Sequence, residues 1–430
     1  MASADTKVLG YGSYGSVISP PLSNRDPNTG QPIEYSPNNW VTKILYDSDA
    51  FDKIIHNADQ VSNIMGSNNY KLFPHSNRMV ADLGQNLAKK VYSANNGPHP
   101  PTNQVYAVRM RHFGISIDDI LREIETKNQT HVLLFRKTDF QIILSELLKC
   151  ITQLKDLADK KYIHGDVRPS NIMWSPKTGQ LRIIDFDWLL PYRQFIKAYA
   201  PSLGYYSNPP EAILLNNINH DTDQLMDSWV SAQYSQFGSM YNNMSIDSVD
   251  DLDKRLVITL KRTQSKFIKN RTSRADIIQS TVFPSFDSYG FALTMGTLFT
   301  YIYPGVMNPA MNIERIRTVI ESRITHQGTP YSAPYLKLIA STLFRVRSLL
   351  WSMASFDVTT RTNAVDAYTA MKEIYDTFMA SHAQLHDADN NYGLRDLFNN
   401  KKSGGRRLRK TRRTRRRSVT HRKKKTLRKH

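Results

Sequence analysis

Two polar segments near the middle of the chain combine residue types that support acid–base and metal chemistry. The first, YIHGDVRPSNIMW, is a loop broken by Gly and Pro, and it places four polar side chains at fixed offsets: His164, Asp166, Arg168 and Asn171. The second, IIDFDW, follows closely and places Asp185 at the end of an apolar run. Acids, an amide and a cation this close together predict a centre at which a hydroxyl is deprotonated and a charged group is transferred.

Each of these side chains has a separate expected task. Asp166 can accept a hydroxyl proton in an in-line displacement, and Arg168 can neutralise charge on a transferring phosphoryl group. Asn171 can bind a metal through its amide oxygen, and Asp185 projects a carboxylate from a sheet edge, where oxygen atoms hold hard cations. His164 is expected to brace the loop rather than to react. The alternative is a polar β-turn whose acids occur by chance, and the hairpin expected between the two segments argues against it.

A glycine-rich turn is expected near the start of the chain, in KVLGYGSYGSVIS. Gly10, Gly12 and Gly15 allow backbone angles that other residues resist, and they let amide groups lie against phosphates. Taken alone, the glycines fit a surface hairpin equally well. A dinucleotide-binding fold would require a helix after the third glycine, and SVISPP does not form one.

A lysine lies within the apolar strand candidate WVTKIL. The charged end of Lys43 must reach water or an anion. It is expected either to hold nucleotide phosphates, kept in place by an acid on the following helix, or to point outward from an edge strand.

The elements that must position these residues run from strands to helices along the chain. After the glycine-rich turn, β-branched and apolar segments predict strands at 40–45 and 103–110. Apolar residues at helical spacing predict helices at 49–65 and 140–160, and a nearly all-apolar segment predicts a buried helix at 287–303. This order predicts an α+β fold, with a small sheet-rich part followed by a larger helical part.

The net charge of +19 is concentrated at the C-terminus. Residues 401–430 hold 17 Lys and Arg and no Asp or Glu, so the first 400 residues carry only +2. This tail cannot bury apolar surface and is predicted to be disordered. Nucleic acid or another polyanion is its expected partner, through salt-sensitive phosphate contacts, because the tail lacks aromatic residues for base stacking. Nuclear import, binding to an anionic surface and a merely solvated tail are the alternatives.

The other bulk features favour an intracellular protein. Cys150 is the only cysteine, so neither a disulfide framework nor a cysteine-based zinc site is expected. No run of 18 apolar residues predicts a membrane span, and the first ten residues lack the pattern of a signal peptide. The protein is expected in the cytoplasm, the nucleus or a virion, and is not expected to be secreted.

Taken together, the motifs resemble those of the eukaryotic-type protein kinase superfamily over roughly residues 9–361. The pattern H-x-D-x-x-x-x-N carries the resemblance, followed by D-F-x and preceded by G-x-G-x-x-G-x-V and a strand lysine. The resemblance implies a two-lobed, protein-kinase-like fold in which Asp166 is the catalytic base and Lys43 holds the α- and β-phosphates. Asn171 and Asp185 would then hold Mg²⁺.

The resemblance further implies a divergent serine/threonine protein kinase, because Pro169 and the cation before it are similar to that class. Such basic tails are similar to those of kinases encoded by large DNA viruses. ATP and Mg²⁺, or Mn²⁺ in its place, are the implied cofactors, and hydroxyls of protein Ser and Thr are the implied acceptors. The implied catalytic residues are Asp166, Arg168 and Lys43, and the implied metal ligands are Asn171 and Asp185. Besides Lys43, the implied nucleotide-binding residues are Leu9, Gly10, Tyr11, Gly12, Ser13, Tyr14, Gly15, Ser16, Val17 and Met110.

The resemblance also divides the chain. Residues 1–112 would form the N-lobe, 113–390 the larger lobe, and 391–430 the disordered basic tail. About 60 residues more than the family's usual spacing fall at 216–282, and a substrate-docking element explains this insertion as well as an irregular loop does.

Three later motifs support the resemblance through their order. NPPE resembles A-P-E, DSYGF resembles D-x-W-G, and DVTTR resembles D-P-x-x-R. They imply that Asp287 braces the backbone of the catalytic loop and that Arg361 pairs with Glu211.

The chain departs from the family pattern at three positions. No Glu occurs in the 79 residues after Lys43, so the usual acid partner of the lysine must be an aspartate, with Asp59 as the first candidate and Asp52 as its rival. Gly165 replaces an arginine that meets the activating phosphate in related kinases, so switching by activation-loop phosphorylation is not expected. Asp187 replaces a glycine, and it either stiffens the turn or adds a carboxylate near the metal.

Two other function classes are open. The HGD and IDFDW segments also resemble aminoglycoside and choline kinases, which phosphorylate small molecules but generally lack the glycine-rich pattern and the later acid–arginine pair. The other class is a catalytically weak, kinase-like binding protein with a nucleic-acid-binding tail. Phosphorylation of peptides or of small alcohols would separate the two enzymes, and nucleotide binding without ATP turnover would indicate the binding protein.

Overall fold

A computed structural model gives the fold of most of the chain. The residues it describes are 6–12, 15–22, 24–25, 32–33, 40–45, 48–67, 70–80, 105–126, 130–136, 138–198, 208–215, 223–243, 246, 248–269, 278–322, 325–326 and 329–391. Ser13 and Tyr14 of the predicted glycine-rich turn lie outside these residues, as does the basic tail at 401–430.

A five-stranded antiparallel sheet forms the N-terminal part, with one helix between its strands. The elements are β1 (Lys7–Gly12), β2 (Gly15–Ser19), the short pair β3 (Asn24–Arg25) and β4 (Pro32–Ile33), β5 (Trp40–Leu45), α1 (Ser48–Ile64), β6 (Phe73–Val80) and β7 (Val105–Arg111). The order of strands in the sheet is β1-β2-β5-β7-β6. The predicted strands at 40–45 and 103–110 and the predicted helix at 49–65 are therefore present.

The register of the sheet places several predicted site residues on one face. Lys43 on β5 is directly opposite Val17 on β2 and Val108 on β7, and Val41 is opposite Met110. Residues directly opposite each other in an antiparallel pair point to the same side, as do residues two apart along a strand. The face that carries Lys43 also packs against α1 through four buried side chains: Leu45, Phe51, Ile54 and Val108.

Gly15 is required by the close approach of β2 to β5. A Cβ added there would lie 1.9 Å from the backbone oxygen of Ile44, whereas one added at Gly10 would meet nothing within 4 Å. The expectation that all three glycines serve phosphate binding therefore misses a packing role for this one.

A Gly15→Ala substitution is expected to destabilise the sheet, because the carbonyl of Ile44 cannot move without breaking the strand pairing. The loss should be about 1–3 kcal/mol, the range for inserting an extra carbon into a packed interior. Gly10→Ala is the matched control and should leave the free energy of unfolding unchanged within about 0.5 kcal/mol. Urea denaturation followed by circular dichroism measures both, and equal stabilities of the two variants would contradict the packing argument.

Helices dominate the rest of the described residues. In order, the elements are β8 (Ile115–Ser116), α2 (Ile117–Glu125), α3 (Thr130–Arg136), α4 (Phe140–Asp159), β9 (Tyr162–Ile163), β10 (Ile172–Trp174), β11 (Leu181–Ile183), β12 (Leu190–Pro191), α5 (Tyr192–Ala198), α6 (Asp223–Asn243), α7 (Val249–Lys269), α8 (Phe286–Ile302), α9 (Ile313–Glu321), β13 (Thr325–His326), β14 (Thr329–Pro330), α10 (Ala333–Met353) and α11 (Ala364–Asn391). The predicted order, with an antiparallel sheet first and helices after it, is confirmed at this coarse level.

The helical part is built around two central helices that the periodicity predicts. On α4 the predicted stripe is buried, and its members are Ile143, Leu147, Ile151, Leu154 and Leu157. Nearly every residue of α8 is buried, as its apolar sequence predicts. This core fixes the position of the loop that follows α4 and of the acid at the start of α8.

The described part of the insertion at 216–282 is mainly helical. α6 packs against α8 and buries Phe237, Met240 and Tyr241, and α7 buries Leu252 and Leu256. An irregular loop is therefore the wrong description of these two helices.

Within the described residues, no helix combines the length and the apolar composition needed to cross a lipid bilayer.

Candidate active site

The first turn of α8 contacts the loop at 164–171 and holds it in place. The carboxylate of Asp287 accepts hydrogen bonds from the backbone N–H groups of His164 and Gly165, at 2.7 and 3.0 Å. The predicted brace is therefore present. Burial raises the pKa of Asp287. The interaction with His164 and these two hydrogen bonds lower it, but burial has the larger effect.

His164 connects this loop to the segment that leads to Asp185. Its ring is fully buried, with Nδ1 3.2 Å from the backbone nitrogen of Asp166 and Nε2 3.0 Å from the carbonyl oxygen of Ile184. A neutral ring protonated at Nε2 satisfies both contacts, since Nδ1 then accepts and Nε2 donates. Burial lowers the pKa of His164, which favours this neutral form. The geometry fits the bracing role expected for His164.

The two carboxylate oxygens of Asp166 have different partners. Its Oδ2 accepts a hydrogen bond from Nδ2 of Asn171 at 2.8 Å. Its Oδ1 is buried, accepts no hydrogen bond from the described residues, and lies 3.2 Å from Nε of Arg168. Burial, the largest cause, raises the pKa of Asp166 to about 7, while Arg168 opposes the rise. A carboxylate of this kind can accept a proton near neutral pH.

Asn171 is fixed close to Asp185 by the pairing of β10 with β11. Ile172 is opposite Ile183, and the backbone oxygen of Asn171 accepts a hydrogen bond from the backbone nitrogen of Ile184 at 2.9 Å. The amide nitrogen of Asn171 donates to Asp166, and its amide oxygen accepts a long hydrogen bond of 3.5 Å from the hydroxyl of Ser170. This oxygen is the atom of Asn171 that could bind a cation in place of that contact.

Lys43 reaches across from the sheet to two acids in the second predicted segment. Its Nζ lies 2.9 Å from Oδ1 of Asp185 and 2.8 Å from Oδ2 of Asp187. Burial alone would lower the pKa of Lys43, but the two carboxylates outweigh it and the pKa is raised. Burial alone would raise the pKa of Asp185. The interaction with Lys43 outweighs this effect, so the pKa of Asp185 is lowered. Burial and the neighbouring Asp185 raise the pKa of Asp187 to about 6.

The prediction that Asp59 or Asp52 on α1 holds Lys43 is wrong. Both acids are exposed, because α1 turns the side that carries Phe51 and Ile54 toward the protein. The acids that hold the lysine follow it by 142 and 144 residues in the chain.

Asn57 is a site residue that the sequence reasoning missed. It is buried on α1, and its Nδ2 donates to the carbonyl oxygens of Phe186 at 2.9 Å and Asp187 at 3.3 Å. Its position in the sequence was a signal that could have identified it. Asn57 lies three residues after Ile54 and four before Val61, so its polar side chain is on the apolar stripe of an amphipathic helix.

The turn that carries both acids is held in a sparsely populated backbone conformation. Asp185 has φ 66° and ψ 64°, in the left-handed region that non-glycine residues rarely adopt. The ring of the next residue, Phe186, packs between the rings of His164 and Tyr70, with centroids at 4.5 and 5.3 Å. Such conformations persist where the surroundings fix them, and they are concentrated at functional sites.

A cleft opens between the sheet and this turn. It encloses about 490 Å³ including the solvent at its mouth, and its lining includes Lys43, Met110, Phe113, Asp185 and Phe186. The structure thus brings the predicted nucleotide-binding Met110 and Lys43 to one cavity, together with a predicted metal ligand.

The residues present suit a hard divalent cation only in part. No group of three or more His, Cys, Asp or Glu in the described ranges is arranged to hold a metal unaided. The carboxylate of Asp185, about a third exposed, and the amide oxygen of Asn171 are two oxygen donors of the kind such a cation prefers. A cation here would need oxygen atoms from a ligand to complete its coordination, which is how Mg²⁺ binds with phosphates.

Gly165 lies where the arginine of the resembling family would be. Its φ is 80°, and a Cβ added there would lie 2.8 Å from Cε2 of Phe195. Phe195, on α5, is fully buried and also packs on the rings of Phe283 and Phe286. An aromatic side chain thus occupies the space beside this loop that a longer residue at 165 would need.

A second buried contact ties the described segment at 208–215 to the region before α11. Nη1 and Nη2 of Arg361 lie 3.0 and 3.1 Å from the two carboxylate oxygens of Glu211, and both side chains are fully buried. Arg361 also donates to the backbone oxygens of Ser355 and Phe356. The predicted pair is therefore present.

Neither family models nor curated proteins supply a relative of this chain. The chain matches no protein-family model and no curated protein. The candidate site is accordingly defined by its own residues and contacts.

Proposed function

We propose that the protein is an ATP-dependent serine/threonine protein kinase with a two-lobed, protein-kinase-like fold. One observation carries the proposal: the Lys43–Asp185 pair, which lines the cleft, and the Asp166–Asn171 pair are joined through neighbouring segments, although Lys43 is far from the other three in the chain. Lys43 contacts Asp185 directly, Asn171 contacts Asp166, and His164 and the β10–β11 pairing join the two pairs. A cation, a buried base and two metal-type oxygen donors in adjoining segments are the parts needed for phosphoryl transfer.

The sheet face above the cleft suits a nucleotide. Val17, Val41 and Met110 point to the same side as Lys43, so an apolar surface for a base adjoins a cation for phosphates. Leu9, next to the glycine-rich turn, is 49% exposed and provides further apolar surface. Lys43 would bind the phosphates of ATP, and the turn between β1 and β2 would cover them.

Transfer would proceed by in-line displacement at the γ-phosphorus. The Ser or Thr hydroxyl oxygen forms the new bond to phosphorus as the bond to the bridging oxygen of ADP breaks, and Oδ1 of Asp166 takes the hydroxyl proton. Arg168, beside Asp166, would steady the charge on the moving phosphoryl group. Asp185 and Asn171 would hold Mg²⁺, which supplies positive charge opposite the phosphates when bound.

Two features favour a protein acceptor over a small molecule. The glycine-rich segment joins two antiparallel strands, and the buried Glu211–Arg361 pair anchors the chain just after the segment that follows Asp185. Small-molecule kinases that resemble the HGD and IDFDW segments generally lack both features.

The function is tested by incubating the protein with γ-labelled ATP and Mg²⁺ or Mn²⁺. The acceptors are a panel of protein substrates, an aminoglycoside and choline. We expect label on Ser and Thr of protein acceptors and none on the small alcohols, with Asp166→Asn as the inactive control. Label on an aminoglycoside or choline alone would replace this proposal with a small-molecule kinase. ATP binding without any transfer would replace it with a binding protein.

A further inference from the structure

The two acids on Lys43 lie in different surroundings. The side chain of Asp187 is 10% exposed and that of Asp185 is 35% exposed, although both are within 3 Å of the lysine. Asp187 belongs to the short helical turn Phe186–Trp188 and Asp185 precedes this turn, and both acids line the cleft. Asp185 is thus the acid that offers more of its side chain to a ligand there.

Where helix α1 contacts this turn, it carries an amide side chain and not an acid. Asn57 is on its buried face, and its Nδ2 binds the carbonyl oxygens of Phe186 and Asp187. A neutral amide cannot balance the charge of a buried lysine, but it can fix the backbone of the turn beside it. The chain of contacts therefore runs from α1 to the turn through Asn57, and from the turn to Lys43 through Asp187.

We propose that Asp187 is the positioning residue for Lys43, supplying from the turn after Asp185 the negative charge that α1 does not supply. This inference rests on the proposed function, since it assigns Lys43 to the phosphates of ATP. Asp187 keeps the lysine in place from the buried side. Asp185 is then free to exchange its contact with Lys43 for a metal, without leaving the lysine unpaired.

Loss of Asp187 would leave Lys43 with Asp185 alone. The two would remain paired with each other, and both would be withdrawn from the nucleotide. Nucleotide affinity should therefore fall whether or not Mg²⁺ is present, because the defect lies in the lysine and not in the metal.

A double-mutant cycle on ADP affinity tests this, measured by titration calorimetry in EDTA and in Mg²⁺. Asp187→Asn should weaken ADP binding about tenfold under both conditions. In a protein that already carries Lys43→Met, the same substitution should weaken ADP binding less than about twofold. This difference is the coupling expected of charged groups in contact. Asp187→Glu, which keeps the charge, should recover part of the loss and also serves if Asp187→Asn does not fold. Asp59→Asn, an exposed acid on α1, is the matched control and should bind ADP as the unmodified protein does.

The outcomes separate this inference from the function itself. An unmodified protein that does not bind ADP or ATP overturns the proposed function and this inference with it. An unmodified protein that binds, with Asp187→Asn indistinguishable from Asp59→Asn, overturns the inference alone. Equal losses from Asp187→Asn with Lys43 present and absent would also overturn it, because the aspartate would then act independently of the lysine.

Discussion

Replacing Asp166 with asparagine should lower kcat for phosphoryl transfer by about 10²–10⁴-fold, the usual contribution of a positioned general base. Asparagine has nearly the same shape, and its amide oxygen can still accept the hydrogen bond that Oδ2 receives from Asn171. What it cannot do is take a proton from a Ser or Thr hydroxyl. The loop should therefore keep its geometry while the chemical step is lost.

Initial rates with saturating ATP and titration of ADP binding separate these effects. ADP affinity should stay within about twofold of the unmodified protein, since the carboxylate is assigned to the acceptor hydroxyl and not to the nucleotide. A variant that retains most of its kcat would show that Asp166 is not the base. A variant that loses affinity and rate together would place Asp166 in nucleotide binding instead.

The second large effect is expected at the buried ion pair. Arg361→Met should destabilise the fold by about 3–5 kcal/mol, because it leaves the carboxylate of Glu211 buried and unpaired. The same change also removes the donors to the backbone oxygens of Ser355 and Phe356. Urea denaturation followed by tryptophan fluorescence measures the loss.

An exposed ion pair in the same part of the protein provides the matched control. Arg345 lies 2.7 Å from Glu373, and both side chains are more than a third exposed. Since solvent screens such pairs, Arg345→Met should cost no more than about 1 kcal/mol. Similar losses from the two substitutions would mean that burial of the Glu211–Arg361 pair does not set its contribution.

The local parts of the site could be predicted from the sequence because spacing alone determines them. Asp166 and Asn171 are five residues apart in one loop, and the hairpin that separates Asn171 from Asp185 has recognisable strands and a glycine turn. The stripe of α4 follows from apolar periodicity and the burial of α8 from its nearly all-apolar sequence, and both depend only on near neighbours in the chain. These elements lie where the pattern places them.

The partner of Lys43 could not be predicted in the same way. Its two acids lie 142 and 144 residues later, so only the packing of the sheet against the turn decides the contact. The resemblance to protein kinases implied an acid on α1, but the buried face of that helix carries Asn57 instead. Gly15 shows the same limit, because the carbonyl it avoids belongs to another strand.

The ring of Phe195 against Gly165 has a consequence for control of the proposed enzyme. A phosphate group that supports a loop can be added to a protein and removed again, whereas the side chain of Phe195 is present from synthesis onward. In the proposed enzyme, a loop supported in this way would be competent as soon as folding is complete. The amount of activity would then depend on the rates at which the protein is synthesised and degraded, and not on its phosphorylation.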